Sequence, residues 1–136
     1  MLQYQLLVPH DPQHKAVRAA IDEVVSAGMA SFLSVIKEFG DRGHGGLSFP
    51  EPGVTLALDF PNVGQPLLDL LDRLDRIVLD AGGRVYLGKD ARLPRETFRR
   101  MYPEWASWKA IRDKWDPDHV FQSDLGRRLG LSGANG

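Results

Sequence analysis

Two stretches of helical period, residues 12–27 and 66–81, are each flanked by stretches that alternate, and the inner pair, Phe32–Phe39 and Val54–Phe60, follow one another with no helix between them. That order leaves few folds. Leu2, Tyr4, Leu6 and Val8 fall on one face of the first strand, with Gln3, Gln5 and Leu7 on the other. Asp11 and Pro12 predict the start of the first helix, Val17, Ala20, Ile21, Val24 and Val25 its apolar face, and Gly28 its end. The second helix opens near Pro66, buries Leu67, Leu70, Leu71, Leu74, Ile77 and Val78, and stops at Gly82-Gly83, ahead of a fourth strand at Arg84–Leu87. The expected architecture is α+β: a ferredoxin-like βαββαβ antiparallel sheet over residues 1–88, with two helices on one face, then a C-terminal helical segment over 89–136.

A sheet covered on one face turns its other face to solvent or to a ligand, and the residues there should be more polar. Alternation assigns Gln3, Gln5, Thr55, Ala57 and Asp59 to the uncovered face. On the second strand Lys37 goes with Leu33, Val35 and Phe39, and on the fourth Arg84 goes with Tyr86.

Other functions are excluded more directly. With 17 Lys+Arg against 18 Asp+Glu there is no basic field to recruit nucleic acid. Cysteine is absent, so disulfides, thiolate catalysis and zinc-thiolate sites are ruled out, and a reducing cytoplasm is the default compartment. No apolar run approaches the roughly 20 residues that cross a bilayer, and residues 1–9 lack the features of a signal peptide. His10 and His14 stand four apart, but no third ligand completes a metal set, so none is expected. The glycine-rich loop at 40–46 lacks the spacing of a phosphate-binding loop, and there is no nucleophile elbow or dinucleotide fingerprint.

The last third carries the most specific strings, GGRVYLGKDARLPRETFRRMYP (82–103) and WDPDHVFQSDLGRRLGL (115–131). Together with LQYQLLVP (2–9), FLSVIKEFG (32–40) and LSFPEPGVTLALDFP (47–61), they resemble the C-terminal part of the decaprenylphosphoryl-ribose oxidase family, within the vanillyl-alcohol-oxidase superfamily of FAD-linked oxidases. The resemblance runs over nearly the whole chain. It implies an FAD-dependent oxidoreductase acting on a sugar or prenyl-phospho-sugar hydroxyl, with Lys89 as the catalytic cation and Tyr86 and Lys89 against the flavin. It also implies a substrate pocket lined by Gln3, Gln5, Lys37, Phe39, Thr55, Ala57 and Asp59. Each type suits its implied role, since amides pair with hydroxyls and an ammonium stabilises developing negative charge in a dry site. Asp90 and Arg92 read as local turn support.

The chain departs from the family at Ala57 and Thr55, where the best-known members with mycobacterial-type substrates have cysteine and asparagine. Flavin chemistry does not need that thiol. Nothing in 1–136 resembles the glycine-rich, FAD-binding half of such enzymes, so the resemblance implies a flavin-binding domain supplied in cis or in trans. The stripe Trp105, Trp108, Ile111, Arg112 and Trp115 would pack either on the chain's own core or on that domain, and SGANG (132–136) reads as a frayed tail. The alternative function is a free-standing ferredoxin-like module that binds a ligand or forms a homodimer without catalysis.

Overall fold

The computed structural model describes residues 1–29 and 32–133 and divides into two compact units. The first comprises Met1–Gly43 and Phe49–Asp90, and the second His44–Ser48 and Ala91–Gly136. The first unit runs β1 (Leu2–Pro9), α1 (Lys15–Ser26), β2 (Leu33–Phe39), β3 (Gly53–Phe60), α2 (Gln65–Asp80), β4 (Arg84–Val85) and a 3₁₀ turn at Leu87–Lys89. Its sheet has the order β2-β3-β1-β4, with each neighbouring pair antiparallel. The two β-α-β units are therefore interleaved, and the parallel strands of each are separated by one strand of the other. This is an α+β fold with a four-stranded antiparallel sheet, as the alternation implies.

Apolar burial holds the helix side together. Leu6, Leu56 and Phe60 of the sheet are sealed from solvent, as are Leu67, Leu70, Leu71, Leu74 and Val78 of α2. Each such side chain contributes on the order of 1.5–3 kcal/mol. The buried Tyr4 hydroxyl donates to Asp75 Oδ1 at 2.9 Å, which ties β1 to α2. Arg73 Nε donates to Glu23 Oε2 at 2.8 Å, linking the two helices.

Two expectations about element ends and one about burial are corrected. Helix α1 begins at Lys15, because the Asp11 carboxylate accepts from the N–H groups of Gln13 and Lys15 and His14 takes a left-handed φ of 50°, so Asp11 caps a turn ahead of the helix. The fourth strand ends at Val85, and Lys89 closes a 3₁₀ turn rather than a strand. Pairing lasts one residue more, with Tyr86 N–H donating to Gln5 O, before the chain turns at Gly88. The apolar face of α1 is also only partly buried: Ile21 and Val25 are exposed, while Ile77 of α2 is half-buried.

The second unit contains α3 (Arg95–Met101), α4 (Trp105–Trp115) and α5 (Asp124–Leu129) around Leu93, Phe98, Met101, Tyr102, Leu129 and Leu131. Ser123 Oγ caps α5 by accepting from Gly126 N–H, and Gly130 ends it at φ 75°, a conformation that favours glycine. Ser132 is buried and its N–H donates to Gly126 O, so the expected fraying does not begin there; Ala134–Gly136 lie outside the described residues. No residue of α4 is buried. Of the two alternatives for the stripe, packing on the chain's own core holds only in part: Trp105 lies under the Arg99 guanidinium and Trp108 against Gly46, but Ile111 and Trp115 are exposed.

Beyond α4 a charged brace holds the chain. Arg112 donates to Asp113, Asp116 and the carbonyl of Phe121 and meets the His119 ring, while the Asp116 carboxylate accepts from the N–H groups of Val120 and Phe121. Desolvation raises the Asp116 pKa, but the two N–H donors and Arg112 outweigh it and hold the carboxyl below the ordinary 3.8. Hydrogen bonds from Lys109 and Arg112 lower that of Asp113 in the same way. Depressed carboxyls stabilise the fold fully above 3.8 and lose that contribution as pH falls through their lower folded values. All three tryptophans lie in this unit, so an acid titration of their fluorescence should show a transition below pH 3.8. Asp116→Asn should remove part of it. An unchanged acid profile in that variant would show that the brace contributes nothing.

No helix among the described residues is long and apolar enough to cross a membrane.

Candidate functional site

The face of the sheet turned away from the helices is built in rungs fixed by strand register. Gln3, Asp59 and Leu33 form one rung, Gln5, Ala57 and Val35 the next, and Leu7, Thr55 and Lys37 a third. Successive rungs lie about 7 Å apart along the strands, and β1 and β2 lie about 10 Å apart across β3. An aromatic bridge crosses this end of the face, from Phe39 beyond the third rung on β2 to Tyr86, which stands level with Gln5 on the other side. Phe49, buried, meets Phe39 edge-on at 5.8 Å and Tyr86 at 4.9 Å. Arg84, also on this face and buried, is held by Glu51 at 2.6 Å, and Glu51 pairs with Arg42 as well.

What remains open is a cavity of about 240 Å³ lined by Gln3, Gln5, Leu33, Val35, Lys37, Ala57, Asp59 and Lys89. Six of the nine residues expected at a site thus meet in one concavity. The other three sit elsewhere on the same face. Phe39 and Tyr86 belong to the aromatic bridge, and Thr55 is buried beneath the wall. Both hydrogen-bonding capacities of the Thr55 hydroxyl are used, since it donates to Leu6 O at 2.7 Å and accepts from Gln5 Nε2 at 3.0 Å. Thr55 therefore sets the direction of the Gln5 amide, leaving the carbonyl end of that side chain for a ligand.

Leu33 and Val35 line the cavity although nothing in their chemistry singled them out; alternation alone put them on this face. Phe49 and Glu51 were missed altogether, because they reach the face from a loop without periodicity. The side chains of Lys37 and Lys89 have no ion-pair or hydrogen-bond partner among the described residues, so two cations and the Asp59 carboxylate face one space. A larger cavity of about 480 Å³ lies on the helix side of the sheet, lined by Ile21, Val24, Val25, Gly28, Met29, Ser34, Ile36, Leu56 and Leu58. It holds no titratable group, and the chemistry therefore points to the smaller one. No cluster of three metal-binding side chains occurs among the described residues.

The uncovered sheet face thus bears two amides, two lysines and a carboxylate, groups able to pair with a polar, hydroxyl-rich or anionic small molecule. The family model for D-arabinono-1,4-lactone oxidase matches residues 61–129, and the chain belongs to that family. It is 44% identical over 96% of its length to a decaprenylphosphoryl-β-D-ribose oxidase of Mycolicibacterium smegmatis, of which it spans 28%. It is 40% identical over 94% of its length to an uncharacterized Streptomyces coelicolor protein encoded in the mprA 5′ region, of which it spans 35%. A stretch of 56 residues is 39% identical to an L-gulono-1,4-lactone dehydrogenase of Mycobacterium tuberculosis, covering 41% of this chain and 13% of that protein. The chain thus corresponds to about a third or less of the relatives it matches.

Proposed function

We propose that this chain forms the substrate-side wall and C-terminal part of an FAD-dependent oxidoreductase that oxidises a sugar or sugar-phosphate hydroxyl, working with a flavin-binding domain in cis or in trans. The observation that carries this reading is the cavity in which Gln3, Gln5, Lys37, Asp59 and Lys89 converge without a cationic site being neutralised by a neighbour. At about 240 Å³ it is smaller than the roughly 300–1,000 Å³ of complete small-molecule sites, as one wall of a larger site would be.

The residues present fit a flavin. Unpaired lysines beside an uncharged amide pair suit a group that gains negative charge on reduction. FAD supplies the hydride acceptor when bound. On this chain, Gln3 and Gln5 bind substrate hydroxyls, Asp59 accepts a hydrogen bond from another, and Lys37 meets an anionic substituent. Lys89 lies nearest the reacting centre, where its charge favours the developing negative charge, and Tyr86 flanks it. The exposed Ile111, Trp115, Val120 and Phe121 of the second unit support packing on the flavin-binding domain, because the Arg112–Asp116 brace holds Val120 and Phe121 in place while leaving them uncovered.

The test is anaerobic mixing of sugar, sugar-phosphate and sugar-lactone donors with the enzyme assembled from this chain and a flavin-binding domain. A sugar or sugar-phosphate bearing a free CH–OH should bleach the flavin absorbance, while the chain alone with FAD stays colourless after desalting. Bleaching by none of these donors would refute the oxidase reading, and a yellow, active chain on its own would refute the need for a second domain.

A further inference from the structure

Thr55 is 1% exposed and does not line the cavity, yet its hydroxyl governs a group that does. A hydroxyl has a single hydrogen to donate. The carbonyl oxygen of Leu6, 2.7 Å away, has none of its own, so the Thr55 hydrogen must lie between these two oxygens. Toward Gln5 the hydroxyl can then offer only a lone pair. The Gln5 amide meets it with Nε2 at 3.0 Å, and its carbonyl oxygen is turned away from Thr55. A glutamine on an open strand can present either end of its amide to a ligand. Here the choice is made by a backbone carbonyl two hydrogen bonds away.

That order of donors passes a demand on to whatever binds. An atom that meets the Gln5 carbonyl must bring a hydrogen. A hydroxyl does, whereas an ether oxygen or a fluorine on the same carbon does not, and leaves the carbonyl stripped of water without a partner. Ala57, opposite Gln5 in the β1–β3 register, and Val35, next in the same rung, have no side-chain polar atom to make up the loss.

We propose that Thr55 is a positioning residue for specificity: by holding the Gln5 carbonyl toward the cavity it makes the site select a sugar that carries a free hydroxyl at that point. This rests on the functional reading above and deepens it. Thr55 itself touches neither donor nor flavin.

The test has two parts. In the chain alone, nuclear Overhauser spectroscopy should place a side-chain amide proton of Gln5 against Thr55. Thr55→Ser should keep that contact and Thr55→Val should lose it. A Gln5 carbonyl against Thr55 in the unsubstituted chain overturns the proposal, with no variant needed. The second part uses calorimetry on the enzyme assembled with a flavin-binding domain and reduced with dithionite, so that no donor turns over. The probes are D-ribose 5-phosphate and its forms with each hydroxyl in turn replaced by fluorine. One fluorinated form should bind about 30-fold more weakly than the parent, the penalty of a buried acceptor left unpaired. Thr55→Ser should preserve that ratio, and Thr55→Val should reduce it to about 3-fold, because the freed amide can turn its NH₂ to the fluorine. If Thr55→Val does not fold, Gln5→Met, which has no carbonyl, should reduce the ratio in the same way. A ratio unmoved by these variants, no discrimination at any hydroxyl, or no binding of any probe overturns the proposal. Neither part involves turnover, so the expected contact and ratios in an enzyme whose oxidised flavin no donor bleaches would refute the oxidase reading alone.

Discussion

Replacing Lys89 with alanine is expected to slow flavin reduction about 100-fold in the assembled enzyme, while Lys114→Ala leaves it nearly unchanged, a loss of the size seen when a preorganised stabiliser of developing charge is removed. The contrast is one of position. Lys89 closes the 3₁₀ turn that follows β4 and lines the cavity with no partner for its ammonium among the described residues, whereas Lys114 lies near the end of α4 in the second unit. Stopped-flow reduction at saturating donor separates this from weakened binding. Lys89→Arg should recover part of the rate if charge is what matters. Equal effects of the two alanine substitutions would reduce Lys89 to a surface cation.

Gly53→Ala is expected to destabilise the first unit by about 3 kcal/mol, the upper end of what overpacking costs. A Cβ at this position would stand 2.2 Å from the carbonyl oxygen of Val8 and 3.2 Å from Leu7 Cδ1. The first of these neighbours is backbone, so the clash is relieved only by parting β1 from β3 where Pro9 and Gly53 pair. Gly40 has open space around its Cβ direction, and Gly40→Ala serves as the control. Urea denaturation followed by far-UV dichroism measures both. A Gly53 variant as stable as the control would mean that the strands part there without cost.

Alternation was enough to read the sheet faces because register carries side-chain direction from strand to strand. Gln3, Gln5, Ala57 and Asp59 follow from the period of two, and Lys37 follows with them even though β2 alternates poorly. What periodicity does not encode is what a loop lays on top. Thr55 has the same parity as Ala57 and Asp59, yet it is buried beneath the wall, and its hydroxyl is engaged by Leu6 and Gln5. Tyr86 and Phe39 are drawn into the aromatic bridge by Phe49, which no pattern in 40–53 foreshadows. The late start of α1 is similar. Asp11 and Pro12 have the chemistry of a helix start, but the left-handed His14 moves it to Lys15. The strings that carry the family resemblance lie in both units, and the match to the family model over 61–129 spans α2 through α5.

The rungs also give the binding wall a direction. Lys37 belongs to the rung nearest the aromatic bridge and Asp59 to the rung farthest from it, on adjacent strands and four residues apart in register. That separation, roughly 13 Å along the strands, exceeds the screening length of about 8 Å at physiological salt, so the two charges do not cancel across the wall. A ligand with an anionic end and a neutral, hydroxyl-bearing end therefore meets opposite fields in its two possible orientations. With its anion at the bridge it is drawn to Lys37, and turned end for end it loses that attraction and has the Asp59 carboxylate for a neighbour instead. On the proposed reading, polarity laid out along a strand in this way would select one orientation of a bound donor before any contact with the reacting group is made.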